Sequence, residues 1–288
     1  MSKIVTIQNA HITVAISTLG AEVQSVRNAS GTEFIWEGDP NIWKGRCPIL
    51  FPICGGLKND TYTLNGKTYN LQKHGFIRFC EFTVDSLSGD TAVLSARETE
   101  ETLASFPFHF VFTVTFRMIE NRLSISYTVK NLDKETMYFN VGGHEGYATP
   151  EGIEEYELVF DEEEELAVNS LSGNLIGHDK KPLMSGRVLP LKKEHFSIDA
   201  IILEELRSRA VTLRHKGGNR SVRVEYPDLD HMLVWQMCGA PYVCIEPWNG
   251  MPDFADADGD ITKKTYITAL PGGESYTSTH TMTFTEGN

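Results

Sequence analysis

The sequence predicts an all-β fold, a large antiparallel β-sandwich with few short helices. Three observations carry this: apolar and polar residues alternate with period two in many segments, turn signals stand between those segments, and helical periodicity is scarce. The alternation begins at His11-Ile-Thr-Val-Ala-Ile16 and closes with a turn at Ala29-Ser-Gly31. Next, Asn65-Gly66 joins Tyr62-Thr-Leu64 to Thr68-Tyr-Asn70, the strongest hairpin signal in the chain. Further strands are read at Phe79–Val84, Thr91–Ala96, Phe110–Phe116 and Arg122–Val129, separated by Ser88-Gly-Asp90 and Ile119-Glu-Asn-Arg122. A turn at Lys216-Gly-Gly-Asn219 and a last strand at Thr277–Phe284 complete the pattern. The best helical signal, Ser197–Leu206, is short enough to be a single two-turn helix or a loop-borne turn. No Pro-, Gly- or Ser-rich stretch divides the chain, so residues 1–288 are read as one domain.

Composition limits the function classes. With 41% hydrophobic and 23% charged residues, the chain can bury a large core. Its formal charge of −13 repels phosphate backbones and anionic lipid, which argues against nucleic-acid and membrane partners. The start of the chain lacks the basic and apolar regions of a signal peptide, so a cytoplasmic protein is expected. The five cysteines, Cys47, Cys54, Cys80, Cys238 and Cys244, form no Cys-x-x-Cys pair and read mostly as buried free thiols. In that setting the Asn-x-Ser/Thr triplets at Asn28, Asn59 and Asn219 carry no glycosylation meaning.

Two acidic segments invite a cation and are read otherwise. Asp161-Glu-Glu-Glu-Glu165 has the character of a solvated surface run. Asp256-Ala-Asp-Gly-Asp260 has its glycine two places early for an EF-hand loop and no closing glutamate, which leaves a turn or ligand-facing role.

Three segments differ from ordinary strand or turn text: Lys73-His-Gly-Phe-Ile-Arg78, Val141-Gly-Gly-His-Glu-Gly-Tyr147 and Val243-Cys-Ile-Glu-Pro-Trp-Asn-Gly250. Each sets an ionisable residue beside glycine, proline or an aromatic ring. Glycine lets backbone approach a ligand, while Trp248 beside Glu246 supplies a wall for a sugar ring and the desolvation that raises a carboxyl pKa. Glu246 sits where a buried strand ends, and a buried carboxyl needs a partner or a purpose. His11, His109, His195, His215, His231 and His280 read as structural or exposed, with His231 opening a strand near the site. A metal site of His74, His144 and Glu246 lacks any short His pairing, so no metal is expected. There is no Gly-x-Ser-x-Gly elbow, and Gly55-Gly56 and Gly142-Gly143 match no phosphate-binding loop.

These segments, together with Gly45-Arg-Cys-Pro-Ile-Leu-Phe-Pro52, Thr18-Leu-Gly-Ala-Glu-Val23 upstream and Pro271-Gly-Gly-Glu-Ser275 near the end, resemble the aldose 1-epimerase (galactose mutarotase-like) superfamily in order along nearly the whole chain. The resemblance is to its LacX-type branch. It implies a β-supersandwich that binds an aldose pyranose and interconverts its anomers with no metal or organic cofactor. It also implies roles: Glu246 as general base on the anomeric hydroxyl, His144 as the acid that protonates the ring oxygen, and His74 as a sugar contact that assists. Arg46 and Asp199 would contact hydroxyls. Arg78 resembles an arginine of the hexose-6-phosphate mutarotase branch and with Arg46 suits a phosphate. A neutral aldohexose is the first reading, a hexose phosphate the second. A non-catalytic sugar-binding or regulatory protein is the third, although a pure binder would not require Glu246 and both histidines together.

Overall fold

A computed structural model describes residues 2–197, 199–218 and 220–287. Antiparallel sheets dominate. The larger has nine strands in the order Leu175–Pro190, Tyr156–Ser172, Ala210–His215, Arg220–Glu225, Ser275–Glu286, Arg122–Asn131, Phe110–Ile119, Thr91–Arg97 and Thr83–Leu87. A six-stranded sheet comprises Ile201–Leu203, His231–Trp235, Tyr242–Trp248, Gly142–Gly143 and Ile49–Leu50, with Glu145–Ala148 also paired to Tyr242–Trp248. A three-stranded sheet, Ile4–Gln8, Ile12–Ser17 and Val23–Asn28, stands at the amino-terminal end.

Period-two alternation explains the sandwich. Phe110, Phe112, Val114 and Phe116 all point into one core, while the residues between them are only partly covered. Met232, Val234, Val243 and Ile245 of the six-stranded sheet reach the same core, which extends from Ile7 to Phe284. Phe51 bridges the layers, with ring centroids 4.9 Å from Phe112 and 5.2 Å from Phe110. The opposite face of the six-stranded sheet carries Leu233 and Trp235 on one strand and Tyr242, Cys244, Glu246 and Trp248 on the next. Because that strand is buried on both faces, its side-chain period of two separates core from site without any polar surface face.

The Asn65-Gly66 hairpin forms as expected, with φ of 51° and 77° at its two central residues. These positive angles are what a tight turn matched to right-twisted strands requires. Among the described residues, the two-turn helix read as one alternative over Ser197–Leu206 does not form. Ile198 lies outside the described residues, and Ile201–Leu203 is instead a strand beside His231–Trp235. Its three apolar residues divide between two clusters, Ile201 and Leu203 in the main core and Ile202 beside Trp248, so they satisfy a strand buried on both faces. Among the described residues the α-helix is Glu100–Ser105, closed at its start by a reciprocal Thr99–Thr102 capping box. Phe79 opens no strand either: it ends a 3₁₀ turn, and the strand begins at Thr83. Asn219, which belongs both to a predicted turn and to one Asn-x-Ser triplet, is outside the described residues.

The acidic run at 161–165 is surface at Glu162, Glu163 and Glu165 but not at Glu164. A register shift between Val159 and Glu164 turns that carboxylate inward, where it accepts hydrogen bonds from the backbone N–H of Ser208 at 2.7 Å and Arg207 at 3.1 Å. Among the described residues no helix is long and apolar enough to cross a membrane.

Candidate active site

Two strand pairings create the site. Gly142 pairs with Trp248 and Glu145 with Ile245 in one continuous register, which sets His144 opposite Glu246. Directly opposed residues on one face of an antiparallel pair have Cβ atoms about 5 Å apart, close enough for their functional groups to meet. His144 Nε2 stands 3.3 Å from Glu246 Oε2. Both side chains are buried, yet both line a cavity of about 290 Å³, at the small end for ligand pockets.

Glycines allow this packing. A Cβ on Gly142 would lie 2.3 Å from Trp248 Cδ1, so only glycine admits the indole there. Trp248 Nε1 then donates to the Gly143 carbonyl at 2.9 Å, which fixes the ring as one wall of the cavity. His74 is held with φ of 69°, a left-handed conformation that costs a non-glycine residue about 1 kcal/mol or more. Its backbone N–H donates to the Gly55 carbonyl at 2.8 Å, and the Gly55 N–H donates to His74 Nδ1 at 3.1 Å. Since Nδ1 accepts, the ring proton of neutral His74 resides on Nε2. Edge-on contacts to His144 at 5.5 Å and Trp248 at 5.6 Å complete its clamp. His144 itself lies against Trp43 at 5.3 Å and meets Trp235 edge-on at 5.7 Å.

Electrostatics follow from this enclosure. Burial pushes the His144 imidazole down to about 3, so the ring is neutral near pH 7. Burial also holds His74 well below the usual histidine range, and the nearby His144, Lys73 and Arg78 act in the same direction. Burial raises the Glu246 carboxyl well above its ordinary value; Lys73 opposes this, whereas Glu145 and Asp199 add to it. A neutral imidazole stands 3.3 Å from a carboxyl whose hold on its proton burial strengthens, an arrangement suited to passing a proton between two oxygens of a bound ligand.

The rim is polar. Lys73 Nζ lies 3.2 Å from Asn174 Oδ1 and 3.9 Å from Asp199 Oδ2. Arg78 donates from Nη2 to the Lys73 carbonyl at 3.0 Å, stacks over Phe79, and leaves its buried Nε without a partner among the described residues. Six of the seven residues predicted for the site, Glu246, His144, His74, Arg78, Asp199 and Trp248, therefore line one cavity. Arg46 is the exception to the expected sugar contact. Its guanidinium turns away and donates to the Gln24 carbonyl at 2.6 Å, and its own N–H is held by Glu22, so it is not among the lining residues. Sequence reasoning missed Trp43, Trp235 and Asn174. Two tryptophans among four were available as a signal, but Asn174 sits at the tip of a polar hairpin that nothing local connects to the site.

Elsewhere the expectations divide. His231 opens its strand as expected, with Nδ1 2.9 Å from the Glu204 carbonyl oxygen and outside the cavity. His280 is buried 3.0 Å from Glu145 Oε1 on the core side. Asp256–Asp260 forms a turn at a wider groove of about 490 Å³, where Asp260 caps a 3₁₀ turn and Lys263 pairs with both Asp258 and Asp260. All five cysteines are free, three of them buried, while Cys80 is half-buried and Cys238 exposed.

The sequence model of the aldose 1-epimerase family matches residues 3–283. The chain belongs to the aldose 1-epimerase family. Among family relatives, the plasmid and chromosomal LacX proteins of Lactococcus lactis subsp. lactis are 30% identical over 279 residues, covering 92% of this chain and 93% of theirs. A galactose mutarotase related enzyme from Lactobacillus acidophilus superimposes with a TM-score of 0.95 at 34% identity, covering 99% of this chain and 98% of that one. A galactose mutarotase-like protein from Lactobacillus casei gives 0.93 at 28% identity, covering 98% and 100%.

Proposed function

We propose that this aldose 1-epimerase family member interconverts the α and β anomers of an aldohexose, with Glu246 and His144 as the acid–base pair. The observation that carries the reading is their cross-strand approach to 3.3 Å in a cavity walled by Trp248. In the ionised form of the pair, Glu246 takes the proton of the anomeric hydroxyl while His144 gives one to the ring oxygen. The C1–O5 bond breaks, the O1–H electron pair becomes the C1=O bond, and the sugar opens to an aldehyde. After rotation about C1–C2 the same transfers run in reverse on the other face, so no net proton is consumed.

The electrostatics support this order. Ring opening leaves Glu246 protonated and His144 neutral, which is the state that burial favours. The bound hemiacetal favours the ionised form through its own hydrogen bonds, O1–H to the carboxylate and imidazolium N–H to the ring oxygen. Each positioned transfer contributes about 10² to 10⁴ in rate. The Nε2–H of His74 serves as a hydroxyl donor, and Lys73, Asp199 and Asn174 take the positioning role expected of Arg46.

A second reading, a hexose phosphate, is supported by the two cations Lys73 and Arg78 at the cavity and by the unpartnered Arg78 Nε. Polarimetry of freshly dissolved α-glucose, α-galactose and glucose 6-phosphate, with wild type and Arg78→Ala, tests both. Acceleration with neutral sugars that survives Arg78→Ala supports the first reading; acceleration confined to the phosphate and lost in the variant supports the second. No acceleration alongside measurable sugar binding would mark a non-catalytic binder.

A further inference from the structure

We propose that Cys244, His144 and Glu246 form a three-ligand site for a zinc-class divalent cation, and that the bound ion occupies the acid–base pair and stops it reversibly. Cys244 and Glu246 lie two residues apart on the same face of the Tyr242–Trp248 strand, and His144 faces Glu246 from the neighbouring strand. One donor atom from each of the three residues lies within 4.8 Å of the others, and all three residues are buried. The His144–Glu246 separation of 3.3 Å already matches the roughly 3.4 Å between two ligands that each stand about 2.1 Å from a tetrahedral ion. Binding the ion would require the short Cys244 side chain to turn toward the other two donors from a separation of up to 4.8 Å. Across the strands Cys244 pairs with Gly146 on the side of His144 and with Trp235 on the other.

Ligand chemistry sets the class of ion. One thiolate, one imidazole and one carboxylate suit zinc or cobalt(II), whereas magnesium and calcium prefer all-oxygen shells. The fourth position opens toward the cavity, since His144 and Glu246 line it. Among the described residues His144 Nδ1 has no hydrogen-bond partner, so none of them supplies the outer-shell acceptor typical of a resident metal site. That omission fits an exchangeable, inhibitory ion. The ion and the sugar's hemiacetal oxygens would compete for the same two groups.

The test is titration of the purified protein with cobalt(II), followed by visible d–d bands and the near-ultraviolet thiolate-to-cobalt charge-transfer band. We expect a tetrahedral spectrum that saturates at one equivalent and is displaced by zinc. Cys244→Ala should lose the charge-transfer band and weaken binding by about tenfold or more, while Cys238→Ala, which alters the exposed cysteine, should keep both. Absence of a tetrahedral spectrum, or one that survives Cys244→Ala, overturns the site. This readout needs no catalytic turnover, so it separates failure of the metal site from failure of the mutarotase reading. In an anomer-exchange assay, zinc should slow the wild type reversibly and leave Cys244→Ala close to its own zinc-free rate; equal inhibition of both overturns the proposal as well.

Discussion

Replacing Glu246 by Gln should lower anomerisation sharply while leaving the fold at least as stable as the wild type above acid pH. The amide keeps the shape of the side chain and can still contact His144, but it cannot take the proton of the anomeric hydroxyl. Loss of one positioned proton transfer corresponds to about 10² to 10⁴ in rate, or roughly 3 to 5 kcal/mol of barrier. Stability moves the other way. In the folded wild type, burial keeps the Glu246 proton above the ordinary carboxyl value of 4.5, whereas the unfolded chain releases it there. The folded state therefore binds more protons than the unfolded state from pH 4.5 up to the raised value, and wild-type stability falls through that window as pH rises. The variant has no carboxyl to titrate, so its stability relative to wild type should grow by up to about 1.4 kcal/mol per pH unit there, or about 3 °C in Tm for a chain of this size. Polarimetry and thermal unfolding between pH 4.5 and 8 measure the two effects. A variant with wild-type rate, or one whose relative stability does not change with pH, would refute the reasoning.

Two further outcomes follow from the buried groups. For His144 the sign is reversed: the unfolded imidazole takes up a proton near 6.5 and the folded one only near 3, so stability declines as pH falls across that window, by on the order of 5 kcal/mol in total. Urea unfolding should show this acid limb flattened in His144→Gln. The buried Asp253–Lys264 pair, 3.0 Å apart, anchors the segment that supplies Pro252 to the cavity, with Asp253 also accepting from the Lys58 N–H at 3.0 Å. Asp253→Ala should cost about 3 to 5 kcal/mol, because it leaves Lys264 buried without its counter-charge, and calorimetry should record a Tm fall on the order of 10 °C.

Strands with one buried face could be read directly from the sequence. At Phe110–Phe116 each alternate residue is in the core, so the alternation and the burial are the same pattern. The long hairpin Tyr156–Pro190 offered no such signal, since much of its second strand is exposed on both faces and its polar residues show no period. Ile201–Leu203 failed for the opposite reason: buried on both faces, a short apolar run does not distinguish helix from strand. In the candidate site, the glycine- and tryptophan-bearing segments around His74, His144 and Glu246 come together at one cavity, and the roles proposed for the pair come from family resemblance. Arg46 does not line that cavity, and its sequence neighbours do not reveal that Gln24 and Glu22 hold it at the edge of the amino-terminal sheet. Glu145 lies one residue from His144 but on the core side, where His280 meets it, a difference only the strand's alternation could reveal.

Magnetisation-exchange NMR between the α and β anomers of an aldohexose, with wild type and the His144→Ala/Glu246→Gln double variant, tests the central claim most directly. The account predicts exchange well above the buffer rate with wild type, and a return to about the buffer rate with the double variant. No acceleration by wild type with any sugar tested, or acceleration that persists in the double variant, would contradict it.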